Sequence, residues 1–360
     1  MKIGILTYYN VHNHGAVLQA NAMKKILEAK GHECGFLEFK RDYSNISQQQ
    51  ANKYTWGLGS IFFYAKYLRE KGMHNILYNM KKKKILSTFR KNNLPLIAKS
   101  TEFTGDLIII GSDEVFSLEV GVNPFMYGNN LKAKHIISYA GSFGPTNFND
   151  IVNQGMQEMI SNGFAKMDAI SVRDNNSYEI VKKLTNVNPT LVCDPVILYG
   201  YEKEMILSKD EKPYILIYSY DKNLNDINEY KYINEYAHKF NLDVVSVGYY
   251  HDWCKSVNVS PEELLGWIKN AKLVITDTFH GSVMSIICNT PMIVKLRKNQ
   301  NKLYFLLSEY GLLDRIIPEF KQIEHIANEH IDFNKVNKII LDKREMAMEF
   351  LDEQLIKYQG

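Results

Sequence analysis

Apolar residues recur along this chain in two alternating rhythms. Residues 2–8 form a short apolar run of β character, and 16–30 carry Val17, Leu18, Met23, Ile26 and Leu27 at helical spacing. Gly31 stops that helix and 34–39 read as a second strand, so the chain opens as β-α-β, with a right-handed crossover expected. The run 106–110 is continuously apolar, the signature of a strand buried on both faces. Further strands are predicted at 135–139, 169–172 and, briefly, 191–194, with a helix over 177–184. After a polar stretch at 201–212, closed by Pro213, the plan restarts with strands at 214–218, 243–247, 273–276 and 291–295. Helices are predicted between them at 227–240, 261–270 (opened by Ser260 and Pro261), 283–287 and 301–310, with a last one at 343–358.

The resulting expectation is an α/β protein of two Rossmann-like lobes facing a cleft, in the glycosyltransferase-B-like manner. Residues 1–200 form the first lobe (the acceptor side), 213–335 the second (the donor side), and 336–360 a C-terminal helix returning to the first. Residues 41 to about 103 break the rhythm and read as a helical insertion in the first lobe. A length of 360 residues fits this division, being more than a single core usually fills.

Composition narrows the function classes. Apolar content of 45% and charged content of 23% are those of a soluble globular chain. A net charge of +3 is too small to argue for nucleic acid. Cys34, Cys193, Cys254 and Cys288 are far apart and form no CxxC pair, against a zinc ribbon or a disulfide scaffold. Because residues 1–8 already read as a strand, no signal peptide is expected; no apolar run approaches the roughly 20 residues of a spanning helix. A cytoplasmic protein is expected. In the insertion, the aromatic and basic stretch 61–69 precedes Lys81-Lys82-Lys83-Lys84. The segment 61–84 is either a solvated charged face or a peripheral contact with the inner face of a membrane.

Candidate chemistry gathers at strand ends, where open α/β sheets bind ligands. Thr276-Asp277-Thr278-Phe279-His280-Gly281-Ser282 follows a buried strand and opens a helix, placing a carboxylate, an imidazole and free helix N–H groups together. That combination favours a phosphate or carboxylate, with Gly281 and Ser282 in the cradle, His280 as acid or base and Lys295 as a further cation. Asp277 acts as base, orients His280 or caps the helix. Gly111-Ser112-Asp113 ends the apolar strand 106–110, with Ser112 against substrate and Asp113 as base or helix cap; Arg173 ends another strand, with a fork suited to a carboxylate or phosphate, or to an ion pair. Asn13, His14 and Gly15 lie in the first strand's loop and suit a backbone nest for an anion or sugar hydroxyls. His12 and His14 are spaced for a metal in principle but lack a nearby carboxylate, and no metal is expected.

Taken in order, several segments resemble the polysaccharide pyruvyl transferase family over nearly the whole chain. They are Asn13-His14-Gly15-Ala16-Val17-Leu18-Gln19-Ala20, Ile110-Gly111-Ser112-Asp113-Glu114-Val115-Phe116, 137–144, Ile170-Ser171-Val172-Arg173-Asp174, Cys193-Asp194-Pro195, 276–282 and Gly311-Leu312-Leu313-Asp314-Arg315. The resemblance implies transfer of pyruvyl from phosphoenolpyruvate to a sugar as a cyclic ketal, in the making of an exopolysaccharide, capsule or cell wall. The acceptor would be lipid-linked or nucleotide-linked, and no cofactor is implied beyond the donor. It also implies that Arg173 and His280 handle the donor, with His280 as general acid. Glu114 and Phe116 stand where the family commonly has Gln and Trp, which leaves their roles open. Two other readings fit the two-lobed plan: a nucleotide-sugar glycosyltransferase, and a non-catalytic binding protein of a polysaccharide pathway.

Overall fold

The computed structural model describes residues 1–40, 59–119, 121–207, 212–297 and 301–358, with side chains from Gly72 onward in the helix that starts at Gly59. Two five-stranded parallel sheets carry the fold. The first holds β1 (Lys2–Leu6), β2 (Glu33–Glu38), β3 (Leu96–Lys99), β4 (Leu107–Ile110) and β5 (His135–Ser138) in the order β3-β2-β1-β4-β5. A short pair, β6 (Ser171–Val172) and β7 (Thr190–Leu191), continues it beyond β5 through isolated pairings at Ala169 and Val172. The second sheet holds β8 (Tyr214–Tyr218), β9 (Asp243–Val247), β10 (Lys255–Val257), β11 (Leu273–Thr276) and β12 (Met292–Val294) in the order β10-β9-β8-β11-β12. Both sheets therefore reverse direction at the same place in their plan, β1/β4 and β8/β11. Crevices for ligands open at such switch points, outside the carboxyl ends of the strands. The α/β, glycosyltransferase-B-like expectation is met.

The helices are α1 (His14–Ala29), α2 (Gly59–Asn93), α3 (Phe148–Asn153), α4 (Gln157–Phe164), α5 (Asn175–Thr185) and α6 (Pro195–Tyr199) around the first sheet. Around the second are α7 (Ile227–Lys239), α8 (Pro261–Asn270), α9 (Phe279–Cys288), α10 (Asn301–Glu309) and α11 (Ile323–Asn328), followed by α12 (Phe333–Lys357). Helix α12 starts well before residue 343. It packs on α6 of the first lobe, and Tyr358 beyond it stacks on His135 with ring centroids 3.9 Å apart.

Helix α1 lies between the lobes. Ten of its first residues in succession, His14 to Met23, are buried, as expected of a helix covered all round. It packs on α6 on one side and on α8 and α9 on the other. Small residues (Gly15, Ala16, Ala20, Ala22) allow that close approach, while the buried amides of Gln19 and Asn21 find partners within the packing. Gln19 Nε2 donates to Thr7 Oγ1 at 3.2 Å, and Asn21 Nδ2 to Tyr201 Oη at 3.3 Å. A single apolar cluster consequently runs from Ile5 of the first sheet through α1 to Val274 of the second and Phe350 of α12.

Part of the insertion, 41–58, lies outside the described residues, as do 208–211 of the 201–212 linker and the side chains of 61–69. Helix α2 kinks at Gly72, whose φ of 71° suits a residue without Cβ. Beyond the kink it bridges the lobes: Tyr78 Oη donates to Val257 O at 2.8 Å, and Asn258 Nδ2 to Tyr78 O at 2.9 Å. The basic run is split. Lys81, Lys83 and Lys84 are exposed, whereas Lys82 is buried with Nζ 3.9 Å from the centroid of the Tyr249 ring. Among the described residues no helix is long and apolar enough to cross a membrane.

Candidate active site

A cleft of about 520 Å³ opens between the two switch points, lined from the first lobe by Asn13, Asp113 and Glu114 and from the second by Tyr220, Asp277 and His280. Each of these stands at the carboxyl end of a strand or in the first turn of the helix that follows. Asn13 caps α1, its Oδ1 accepting from Ala16 N at 3.3 Å. Asp113 follows β4 with φ of 77°, a left-handed conformation that Asp tolerates better than most residues at a cost of roughly 1–3 kcal/mol.

His280 sits in the first turn of α9, because that helix begins at Phe279 rather than Val283. The residue is 8% exposed, with Nε2 3.6 Å from Asp194 Oδ2, an ion-pair distance rather than a hydrogen bond. The bare Cα of Gly15 backs the ring: a Cβ there would lie 2.2 Å from His280 Cγ. Asp194 Oδ2 also accepts from Arg173 Nη1 at 2.8 Å, while Arg173 Nη2 donates to Asp113 Oδ1 at 2.8 Å. Asp194 Oδ1 is fixed in turn by Val196 N at 3.0 Å, as the N-cap of α6 ahead of Pro195. One buried carboxylate thus ties the arginine of one lobe to the imidazole of the other.

Burial alone would raise both carboxylates. For Asp113 it is outweighed by Arg173, His280 and Lys302, and for Asp194 by His280 and Arg173, so both are held below the usual carboxylate range. Burial works against the charge on Arg173 too, but Asp113 and Asp194 hold it firmly cationic. Asp277 shifts the other way. Burial pushes it up, and the opposing pull of Ser219, Arg297 and Asn223 is insufficient. Asn223 Nδ2 donates to Asp277 Oδ2 at 2.7 Å and Arg297 Nε to the same oxygen at 3.2 Å.

The predicted residues divide accordingly. Asn13, Asp113, Asp277 and His280 line the cleft, with Arg173 directly behind. Several others do not face it. His14 is fully buried, with Nε2 3.0 Å from Val259 O across the lobe boundary; burial and then Lys82 lower it to about 3, so it is neutral. Ser112 Oγ donates to Gln19 Oε1 at 2.6 Å. Gly281 gives its N–H to the capping Thr278 Oγ1 at 3.0 Å, and a Cβ on it would lie 2.2 Å from Thr276 Oγ1. Ser282 Oγ donates back to Thr278 O at 3.3 Å. Gly281 and Ser282 are therefore corrected from an anion cradle to a packed helix start, and His14 and Ser112 from substrate contacts to buried struts. Lys295 is corrected as well: its Nζ donates to Pro318 O, beside a separate depression lined by Glu229 and Phe320.

Sequence reasoning missed the role of Asp194, visible only within Cys193-Asp194-Pro195, and missed Lys302 and Phe279. Lys302 Nζ pairs with Glu114 Oε1, and the Phe279 ring is near two cations, with Arg173 Cζ at 4.3 Å and Lys302 Nζ at 5.3 Å from its centroid. Phe116 is core, packed against Phe143 and Phe164. Opposite them, Tyr218, Tyr249 and the half-exposed Tyr220 form an aromatic wall in edge-to-face contact, with Asn13 Nδ2 donating to Tyr249 Oη at 3.4 Å.

No curated protein sequence matches this chain. Its structure is similar to the UDP-GlcNAc 2-epimerase of Neisseria meningitidis bound to UDP-GlcNAc, with a TM-score of 0.51, 9% identity, and 99% of this chain and 100% of the other covered. It is also similar to the glycotransferase of kitacinnamycin, with a TM-score of 0.50, 10% identity, and 100% and 99% covered. At such identities the likeness speaks for the two-lobed fold alone. The family model described as polysaccharide pyruvyl transferase matches residues 13–299, a span running from the cap of α1 to beyond β12 and containing Asp113, Arg173, Asp194 and His280. By that match the chain belongs to the polysaccharide pyruvyl transferase family.

Proposed function

We propose that this protein transfers a pyruvyl group from phosphoenolpyruvate to a sugar of a surface polysaccharide or its precursor, closing a ketal across two hydroxyls. The observation that carries this reading is the buried bridge by which Asp194 ties Arg173 to His280 at the edge of the cleft. A carboxylate beside the ring orients it. In the proposed sequence His280 gives a proton to C3 of the enol, leaving C2 electron-poor. A sugar hydroxyl attacks C2 and yields its proton to Asp277, whose carboxyl is raised by burial and so better suited to accept it. A second hydroxyl then displaces phosphate from C2; its proton restores His280, and the proton on Asp277 leaves with the phosphate.

Lys302 lines the cleft beside His280 and supplies charge for the departing phosphate, while Arg173 keeps the surrounding carboxylates ionised and in place. The tyrosine wall suits the apolar face of a sugar ring. The decisive measurement is phosphate release from phosphoenolpyruvate with candidate acceptors, followed by mass spectrometry for one added pyruvyl group. His280→Gln is expected to lower turnover by roughly 10²–10⁴-fold while leaving donor binding in place; an unchanged rate sinks the mechanism. Stabilisation by UDP or GDP sugars with no response to phosphoenolpyruvate would instead favour a glycosyltransferase.

A further inference from the structure

We infer that Glu114 is the cleft's built-in counter-ion, occupying Lys302 and joining the lobes until a multiply charged anion takes its place. The inference rests on the donor reading above. Two cations approach the Phe279 ring, and they differ in availability. Arg173 is 1% exposed, with both Nη atoms committed to Asp113 and Asp194. Lys302 is 21% exposed and lines the cleft itself.

Among the described residues lining the cleft, Lys302 is the one lysine or arginine, set against Asp113, Glu114, Glu119 and Asp277. An arriving phosphate therefore meets a predominantly acidic wall, and the cation available to it already holds a carboxylate. Glu114 is built to stay there. It follows β4 beside Asp113, and its side chain rests on Gly144, where a Cβ would lie 2.7 Å from Glu114 Cδ. It is also 28% exposed, so water can solvate it once released. The pair spans the lobes, from the loop after β4 to the first turn of α10. Anion binding in this scheme is an exchange: the anion takes Lys302, and Glu114 turns to solvent or to the sugar hydroxyls.

Titration calorimetry of the whole protein with phosphoenolpyruvate, and separately with inorganic phosphate, tests this. Removing the competitor in Glu114→Gln is expected to tighten both anions about fivefold, the equivalent of one partly exposed ion pair. Lys302→Gln is expected to weaken both by at least about tenfold. Glu114→Asp, one methylene shorter, should also bind more tightly than the parent and serves if Glu114→Gln does not fold. Equal or weaker affinity for phosphoenolpyruvate in the Glu114 variants overturns the inference and leaves the donor reading standing. Tightened phosphate binding without any response to phosphoenolpyruvate supports the counter-ion and overturns the donor reading. Binding of neither anion by any form overturns both.

Discussion

At the residue scale, the site depends on what stands behind the groups that face substrate. Gly15→Ala places a methyl where the His280 ring lies, so the ring must turn away from Asp194. The variant should fold, yet lose about tenfold or more in phosphate release, a misplacement effect separable from stability by comparing its melting temperature with the parent's. His14 gives a pH prediction. Burial lowers its folded value to about 3 from an ordinary 6.5, so the unfolded chain takes up a proton that the folded one refuses. Its contribution is complete above the unfolded value and lost as pH falls from about 6.5 toward 3. At pH 5 this amounts to about 2 kcal/mol, and urea titrations of His14→Gln should show that much less acid sensitivity than the parent. His280, Arg173 and Asp113 were legible because each stands at the end of an apolar run, where position in the fold follows from the rhythm. Lys302 was not, because proximity to a strand end says nothing about direction. Lys295 directly follows β12 yet turns to Pro318, while Lys302, in the first turn of α10, reaches the cleft.

At the scale of elements, strand positions were nearly all readable, as were the starts of α7, α8 and α10, but those of α1 and α9 were not. The caps explain the difference. Asn13 caps α1 and Thr278 caps α9, so both helices begin ahead of the apolar stripe that marks them in the sequence, at His14 rather than Ala16 and at Phe279 rather than Val283, and His14, Gly15, His280 and Gly281 become helical. Thr278→Ala is expected to cost about 1 kcal/mol in chemical denaturation, through the lost cap on Gly281 N. Helix α2 was legible as helical but not as a bridge, since the contacts of Tyr78 with Val257 and Asn258 join residues far apart in sequence. Tyr78→Phe should lower stability by about 1 kcal/mol in the same measurement, by removing one buried hydrogen bond.

At the scale of the molecule, two lobes were expected, and two sheets are present, but beside one apolar cluster confined to each lobe a third runs through α1 from sheet to sheet. Calorimetry is therefore expected to show one unfolding transition with equal calorimetric and van't Hoff enthalpies; two resolved transitions would show that the lobes melt separately. What the rhythm of apolar residues did not reveal is that α1, assigned to the first lobe by its place in the chain, is shared. Its first turn supplies the surface behind His280, its capping residue touches Tyr249, and His14 reaches Val259. The lobes are accordingly poor units for recombination. A chimaera that took its second lobe from another family member would bring a foreign imidazole onto a resident helix fitted to this one. Exchange at the cleft should succeed when α1 travels with the second lobe, although more than 180 residues of sequence separate them.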